Sequence, residues 1–116
     1  MRNLVVGGAP FHIATKKTIL EIFNNDCLFE FYGSTETGIN TILLPEEQLS
    51  KTESCGKVFD GNDILLLDED RKPVKQGEVG ELFMKNNMLI DGYFRNKTAT
   101  DESFHDGYLS DRKSVV

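Results

Sequence analysis

Two short apolar runs, with a helical stripe between them, constrain this chain most. Leu4-Val5-Val6 runs into Gly7-Gly8-Ala9-Pro10, and the run from Cys27 to Tyr32 ends in Gly33-Ser34-Thr35-Glu36-Thr37-Gly38. Both runs suit buried strands that stop at flexible loops. Between them Ile13, Ile19, Leu20, Ile22 and Phe23 recur at helical spacing. This predicts a helix from Pro10 or Phe11 to Phe23, opened by Pro10 and stopped by Asn24-Asn25-Asp26. Strand, helix and strand at this spacing predict a βαβ unit with parallel strands and a right-handed crossover. Parallel strands bring both glycine loops to one edge of the sheet, Gly8, Ala9 and Pro10 beside Tyr32, Gly33, Ser34, Thr35 and Glu36. That edge is where open α/β sheets bind ligands. Leu4-Val5-Val6 is apolar enough for a central strand. Only Met1-Arg2-Asn3 precede it, so the expectation is a piece of a longer protein.

The rest of the chain changes character. Ile39 to Leu44 is another apolar run, and the polar stretch 45–53 reads as a surface connection with one helical turn. From Ser54 onward strands and turns alternate: Gly56 to Phe59, Asp63 to Asp68, Val74, and Gly80 to Lys85, with polar connections at 69–73 and 77–80. The expected class is therefore α/β. Residues 1–52 would form the strand-helix-strand piece of a parallel sheet, and 53–116 a small antiparallel β-subdomain, with the border near Lys51 to Ser54.

Composition narrows the partners. A net charge of −6 with no basic run argues against nucleic acid. An acidic protein still binds nucleotides through backbone N–H groups and a metal. Cys27 and Cys55 are far apart and match no metal spacing; Cys27 reads as a small buried hydrophobe. No signal-peptide core and no transmembrane run is present, and a cytoplasmic location is the expectation. His12 and His105 read as surface histidines.

The loop after the second strand offers an aromatic plate (Tyr32), a flexible backbone (Gly33), two hydroxyls (Ser34, Thr35) and a carboxylate (Glu36). A plate stacks on a purine, hydroxyls bond phosphate oxygens, and a carboxylate holds a hard cation such as Mg²⁺. The same residue types also make ordinary strand-to-helix turns.

Order decides between these readings. Gly7-Gly8-Ala9-Pro10, then Tyr32-Gly33-Ser34-Thr35-Glu36, then Gly80-Glu81-Leu82 and Gly92-Tyr93-Phe94, resembles the adenylate-forming, AMP-binding enzymes: acyl-CoA synthetases, luciferases and adenylation domains of peptide synthetases. The resemblance runs from about Leu4 to about Tyr108 and favours the long-chain fatty-acid–CoA ligases. It implies that Gly8, Ala9 and Pro10 line the adenine and acyl pockets, and that Tyr32 stacks on adenine. It also implies that Gly33, Ser34 and Thr35 meet the phosphate of ATP or AMP, and that Glu36 is the Mg²⁺ ligand, with Thr35 and Glu36 as the catalytic pair. The β-subdomain would be a distorted, barrel-like structure in which the Gly-Glu-Leu and Gly-Tyr segments are structural, Tyr93 packing at its seam.

The resemblance further implies a parent enzyme that activates a carboxylic acid, fatty in class, with ATP and passes the acyl group to CoA. At its end the pattern departs. Asp111 is either the family's ribose ligand after a short deletion or part of an Asp-Arg-Lys hinge with Arg112 and Lys113. The family's phosphate loop and C-terminal catalytic lysine have no counterpart among these residues. The piece alone is therefore expected to be inactive, to miss its flanking domains, and to self-associate through apolar surface. Two other readings stand beside this one: a nucleotide-binding module without turnover or a degenerate remnant of the family, and an adenylation domain of a peptide synthetase.

Overall fold

The first two strands are parallel neighbours in the computed structural model, which describes residues 2–24 and 26–111. β1 (Leu4–Gly7) pairs with β2 (Leu28–Ser34) in the register Leu4↔Leu28 through Gly7↔Phe31. Helix α1 (Ile13–Ile22) joins them, so the expected strand-helix-strand unit is present. The chain separates into two compact units. The first holds residues up to Gly33 together with Ile39–Phe59; the second holds Ser34–Gly38 and the residues from Asp60 onward.

In the first unit the sheet continues through β3 (Gly38–Leu43) to β4 (Lys57–Val58), in the order β1-β2-β3-β4. β4 is antiparallel to β3 through Thr41↔Val58 and Ile42↔Lys57. This sheet is therefore of mixed orientation rather than purely parallel. Leu20, Cys27, Leu28 and Leu43 form its core. A 3-10 turn (Pro45–Glu47) delivers the fully buried Gln48, whose Nε2 donates to Leu28 O at 3.3 Å and Leu43 O at 3.1 Å. One amide thus satisfies carbonyls on two strands, as burial demands. Gly56 (φ +87°) permits the closest backbone approach: a Cβ there would stand 1.9 Å from Ile42 O.

Three expectations for this unit change. Pro10 does not open α1; the helix starts at Ile13, with His12 as an extended N-cap lacking a side-chain cap bond. The buried residues of α1 are Lys16 and Leu20, while Ile13 and Ile22 are exposed. A buried charge partner, described below, selects that face over the aliphatic one. β1 stands at the edge of the described sheet, with Val5 59% exposed, and is not a central strand there.

The second unit is built on the hairpin of β5 (Asp63–Leu67) and β6 (Glu81–Lys85), registered from Asp63↔Lys85 to Leu67↔Glu81. β8 (Tyr108–Leu109) adds to β6 through Met84↔Leu109, and β7 (Phe104–His105) pairs with β8 across a turn at Asp106 and Gly107, both at positive φ. The order is β5-β6-β8-β7. The sheet is antiparallel, as expected, but open; β7 and β8 are two residues each, too short to close a barrel. Leu67, Leu82, Phe83, Met84 and Leu109 are its buried apolar residues. Helix α2 (Lys97–Ser103) was not anticipated; its signal is the N-cap Asn96, whose side chain accepts from Ala99 N at 3.0 Å. His105 is half-buried, edge-on to Phe83 at 6.1 Å, rather than a surface histidine.

Candidate functional site

In the first unit, parallel pairing brings the ends of β1 and β2 to one edge, where a cleft of about 730 Å³ opens. Gly8, Ala9 and Pro10 line it from one strand end, Glu30 to Gly33 from the other, and Thr52 to Cys55 from the connection before β4. Gly8 has φ +95° with nothing within 4 Å of a would-be Cβ, so its freedom serves backbone shape and leaves open space. Gly7 serves the opposite need: a Cβ there would meet the Phe31 ring at 2.5 Å. Tyr32 is half-buried at the cleft wall, accessible for stacking.

Glu30 is a buried acid in that lining. Its Oε2 lies 2.5 Å from Lys16 Nζ, with side-chain exposures of 11% and 0%. Among the described residues Oε2 has no hydrogen-bond partner besides this charge contact. Lys16 Nζ also donates to Thr52 O at 3.4 Å, tying α1 to the third wall. The pair was missed in sequence because a lysine inside an aliphatic stripe carries no local sign of burial. Cys55 is exposed at the rim. Partial burial of its sulfur nevertheless pushes the thiol up, the Glu30 carboxylate pushes the same way, and Lys16 opposes both.

In the second unit, Ser34–Gly38 forms a tight acidic turn. Ser34 Oγ and Thr37 Oγ1 are 2.8 Å apart, and Thr37 N donates to Ser34 Oγ at 3.2 Å. The Ser34 hydroxyl thus shapes the turn, while Thr35 is exposed at its tip. Glu36 is 9% exposed; Tyr93 Oη donates to its Oε1 at 3.3 Å, and Ile90 N donates to its carbonyl at 3.1 Å. Asn86 Nδ2 bonds Thr37 O at 2.8 Å and Asn62 Oδ1 at 2.7 Å. The 86–93 segment therefore clasps the turn through Asn86, Ile90 and Tyr93, contacts that sequence reasoning did not assign.

Gly8, Ala9, Pro10, Tyr32 and Gly33 share the cleft, and on the β2 side its lining ends at Gly33. Ser34, Thr35, Glu36 and Asp111 belong to the second unit. Asp111 is half-buried beside Ser110, whose Oγ bonds Glu81 Oε1 at 2.5 Å; Arg112 and Lys113 lie outside the described residues. No group of three or more His, Cys, Asp and Glu that could hold a metal occurs among the described residues. A hydrated Mg²⁺ needs no such cage: one carboxylate plus substrate phosphates suffices, and Glu36 fits that donor set. No described helix is long and apolar enough to cross a membrane.

The comparisons converge. The chain is 32% identical over 112 residues to a 2-succinylbenzoate–CoA ligase of Listeria monocytogenes, covering 94% of this chain and 21% of that protein. It is 35% identical over 82 residues to the medium/long-chain-fatty-acid–CoA ligase FadD8 of Mycobacterium tuberculosis, covering 69% and 14%. The chain thus spans about a fifth or less of the curated relatives it matches. Its fold superposes on o-succinylbenzoate coenzyme A synthetase from Bacillus subtilis, solved with ATP and magnesium ion. The TM-score is 0.81 at 28% identity, over 95% of this chain and 23% of that one. A family model described as AMP-binding enzyme matches residues 1–94, and the chain belongs to that family.

Proposed function

We propose that this chain is part of an ATP-dependent, AMP-forming acid–CoA ligase acting on a fatty acid. The observation that carries the reading is the cleft at the shared edge of β1 and β2, lined by Gly8, Ala9, Pro10, Tyr32 and Gly33. In the reaction a carboxylate oxygen bonds to the α-phosphorus of ATP as the bond to pyrophosphate breaks. The CoA thiol then takes the acyl carbon and AMP departs. The difficulty of the first step is that two anions must meet.

Tyr32 stacks on adenine, and the backbone at Gly8, Ala9 and Pro10 sets the floor beneath the base and the acyl group. Thr35, at the exposed tip of its turn, donates its hydroxyl to the α-phosphate, with Ser34 and Gly33 shaping the approach. Glu36 holds Mg²⁺, which when bound offsets phosphate charge. Asp111 serves the ribose hydroxyls. The chain by itself does not complete adenylation, because further cationic groups must balance the transition-state charge. It works in the cytoplasm with flanking domains of a longer protein.

Two measurements test this on the purified chain. Saturable binding of a non-hydrolysable acyl-adenylate analogue is expected, weakened about 5- to 100-fold by Tyr32→Ala, the range for loss of one base stack. ATP–pyrophosphate exchange with a panel of fatty and aromatic acids is expected to be absent. Failure to bind the analogue overturns the site, and robust exchange overturns the inactivity.

A further inference from the structure

We infer that Tyr93 is a positioning residue for Glu36, and that the 86–100 segment exists to aim this carboxylate at a divalent cation. The inference rests on the reading of Glu36 as the metal ligand.

The argument starts from the turn itself. A carboxylate on a short turn has free side-chain torsions, and a cation ligand must be held within a fraction of an ångström to act. Three bonds hold the Ser34–Gly38 turn from outside. Ile90 N donates to Glu36 O at 3.1 Å, Asn86 Nδ2 to Thr37 O at 2.8 Å, and Tyr93 Oη to Glu36 Oε1 at 3.3 Å. The first two hold the backbone. The third reaches the functional group itself, at Oε1.

Tyr93 is itself anchored. Its N donates to Thr100 Oγ1 at 2.8 Å, and Thr100 Oγ1 donates to Asn96 O at 2.9 Å. Asn96 caps α2 through Ala99 N. Gly92 lets the two segments touch: a Cβ there would stand 2.7 Å from Thr100 Cγ2. A continuous path of contacts therefore runs from the capped start of α2 to the carboxylate. It explains why a glycine and a tyrosine stand together at 92 and 93. A phenol hydroxyl suits this task, being neutral at working pH and a hydrogen-bond donor, so it orients the carboxylate without neutralising it.

The test titrates Mn²⁺ into the full chain with saturating AMP and reads bound ion by electron paramagnetic resonance. Tyr93→Phe is expected to weaken Mn²⁺ about ten-fold, the loss of one hydrogen bond to a charged group. Metal-free AMP affinity and hydrogen-exchange protection of the Ile90 amide should stay unchanged. Glu36→Gln should abolish Mn²⁺ binding. Wild-type Mn²⁺ affinity in Tyr93→Phe, with Glu36→Gln still deficient, overturns the positioning role and spares the metal reading. Full Mn²⁺ binding by Glu36→Gln overturns the metal reading and the inference with it. Loss of Ile90 protection together with Mn²⁺ binding in Tyr93→Phe also overturns the inference, since Tyr93 then merely holds the turn together.

Discussion

Lys16 on α1 and Glu30 on β2 form an ion pair of 2.5 Å, with the lysine fully buried and the glutamate at the wall of the cleft. A buried pair is costly to break and cheap to replace as a unit.

Lys16→Met should therefore destabilise the chain by about 3–5 kcal/mol, because Glu30 is left buried and unpaired. The double variant Lys16→Met, Glu30→Leu should recover most of that loss. Urea midpoints for the wild type, the single and the double variant check this; a single variant within about 0.5 kcal/mol of wild type would refute it.

The Cys55 thiol is held up by partial burial and by the Glu30 carboxylate. Its alkylation by iodoacetamide should therefore need a higher pH than a free cysteine does. Glu30→Gln removes one raising influence and leaves Lys16 uncompensated, so the rate-against-pH curve should move to lower pH. Cys27 is 1% exposed, so mass spectrometry should count one modified thiol in the native chain and two after denaturation.

Gly56 and Gly61 share φ +87°, but a Cβ at Gly56 meets Ile42 O at 1.9 Å whereas nothing lies within 4 Å at Gly61. Gly61→Ala should cost only backbone strain, about 1–2 kcal/mol. Gly56→Ala adds a clash with backbone and should exceed roughly 4 kcal/mol. Equal urea midpoints for the two variants would show that the close approach at Gly56 does not matter.

Tyr108 Oη donates to Asp63 Oδ2 at 2.5 Å, and this bond, followed by partial burial and the carboxylate's charge, raises the phenol above its ordinary range. The bond exists in the protonated form. Its stabilisation is therefore complete below the unfolded phenol pKa, about 10, and is lost as pH rises through the higher folded value. Ultraviolet titration should show one late tyrosine that moves to lower pH in Asp63→Asn.

What the chain's order of residues determined was local. Continuous apolar runs and helical patterning, broken by glycines, specified the βαβ unit, because both are properties of neighbouring residues. The same logic placed Gly8, Ala9, Pro10 and Tyr32 at one sheet edge, since parallel pairing follows from the length of the crossover. Tertiary structure decided the rest. Ile13 and Ile22 read as core, yet α1 turned Lys16 inward because Glu30, on another element, supplies its charge partner. β1 read as central, yet it has one neighbour among the described residues. The two-residue strands β7 and β8 and the seven-residue α2 are too short to leave more than a faint sequence pattern. Tyr93 and Glu36 stand 57 positions apart. A side-chain bond over that separation has no local signature, because only the folded path of the backbone brings donor and acceptor together.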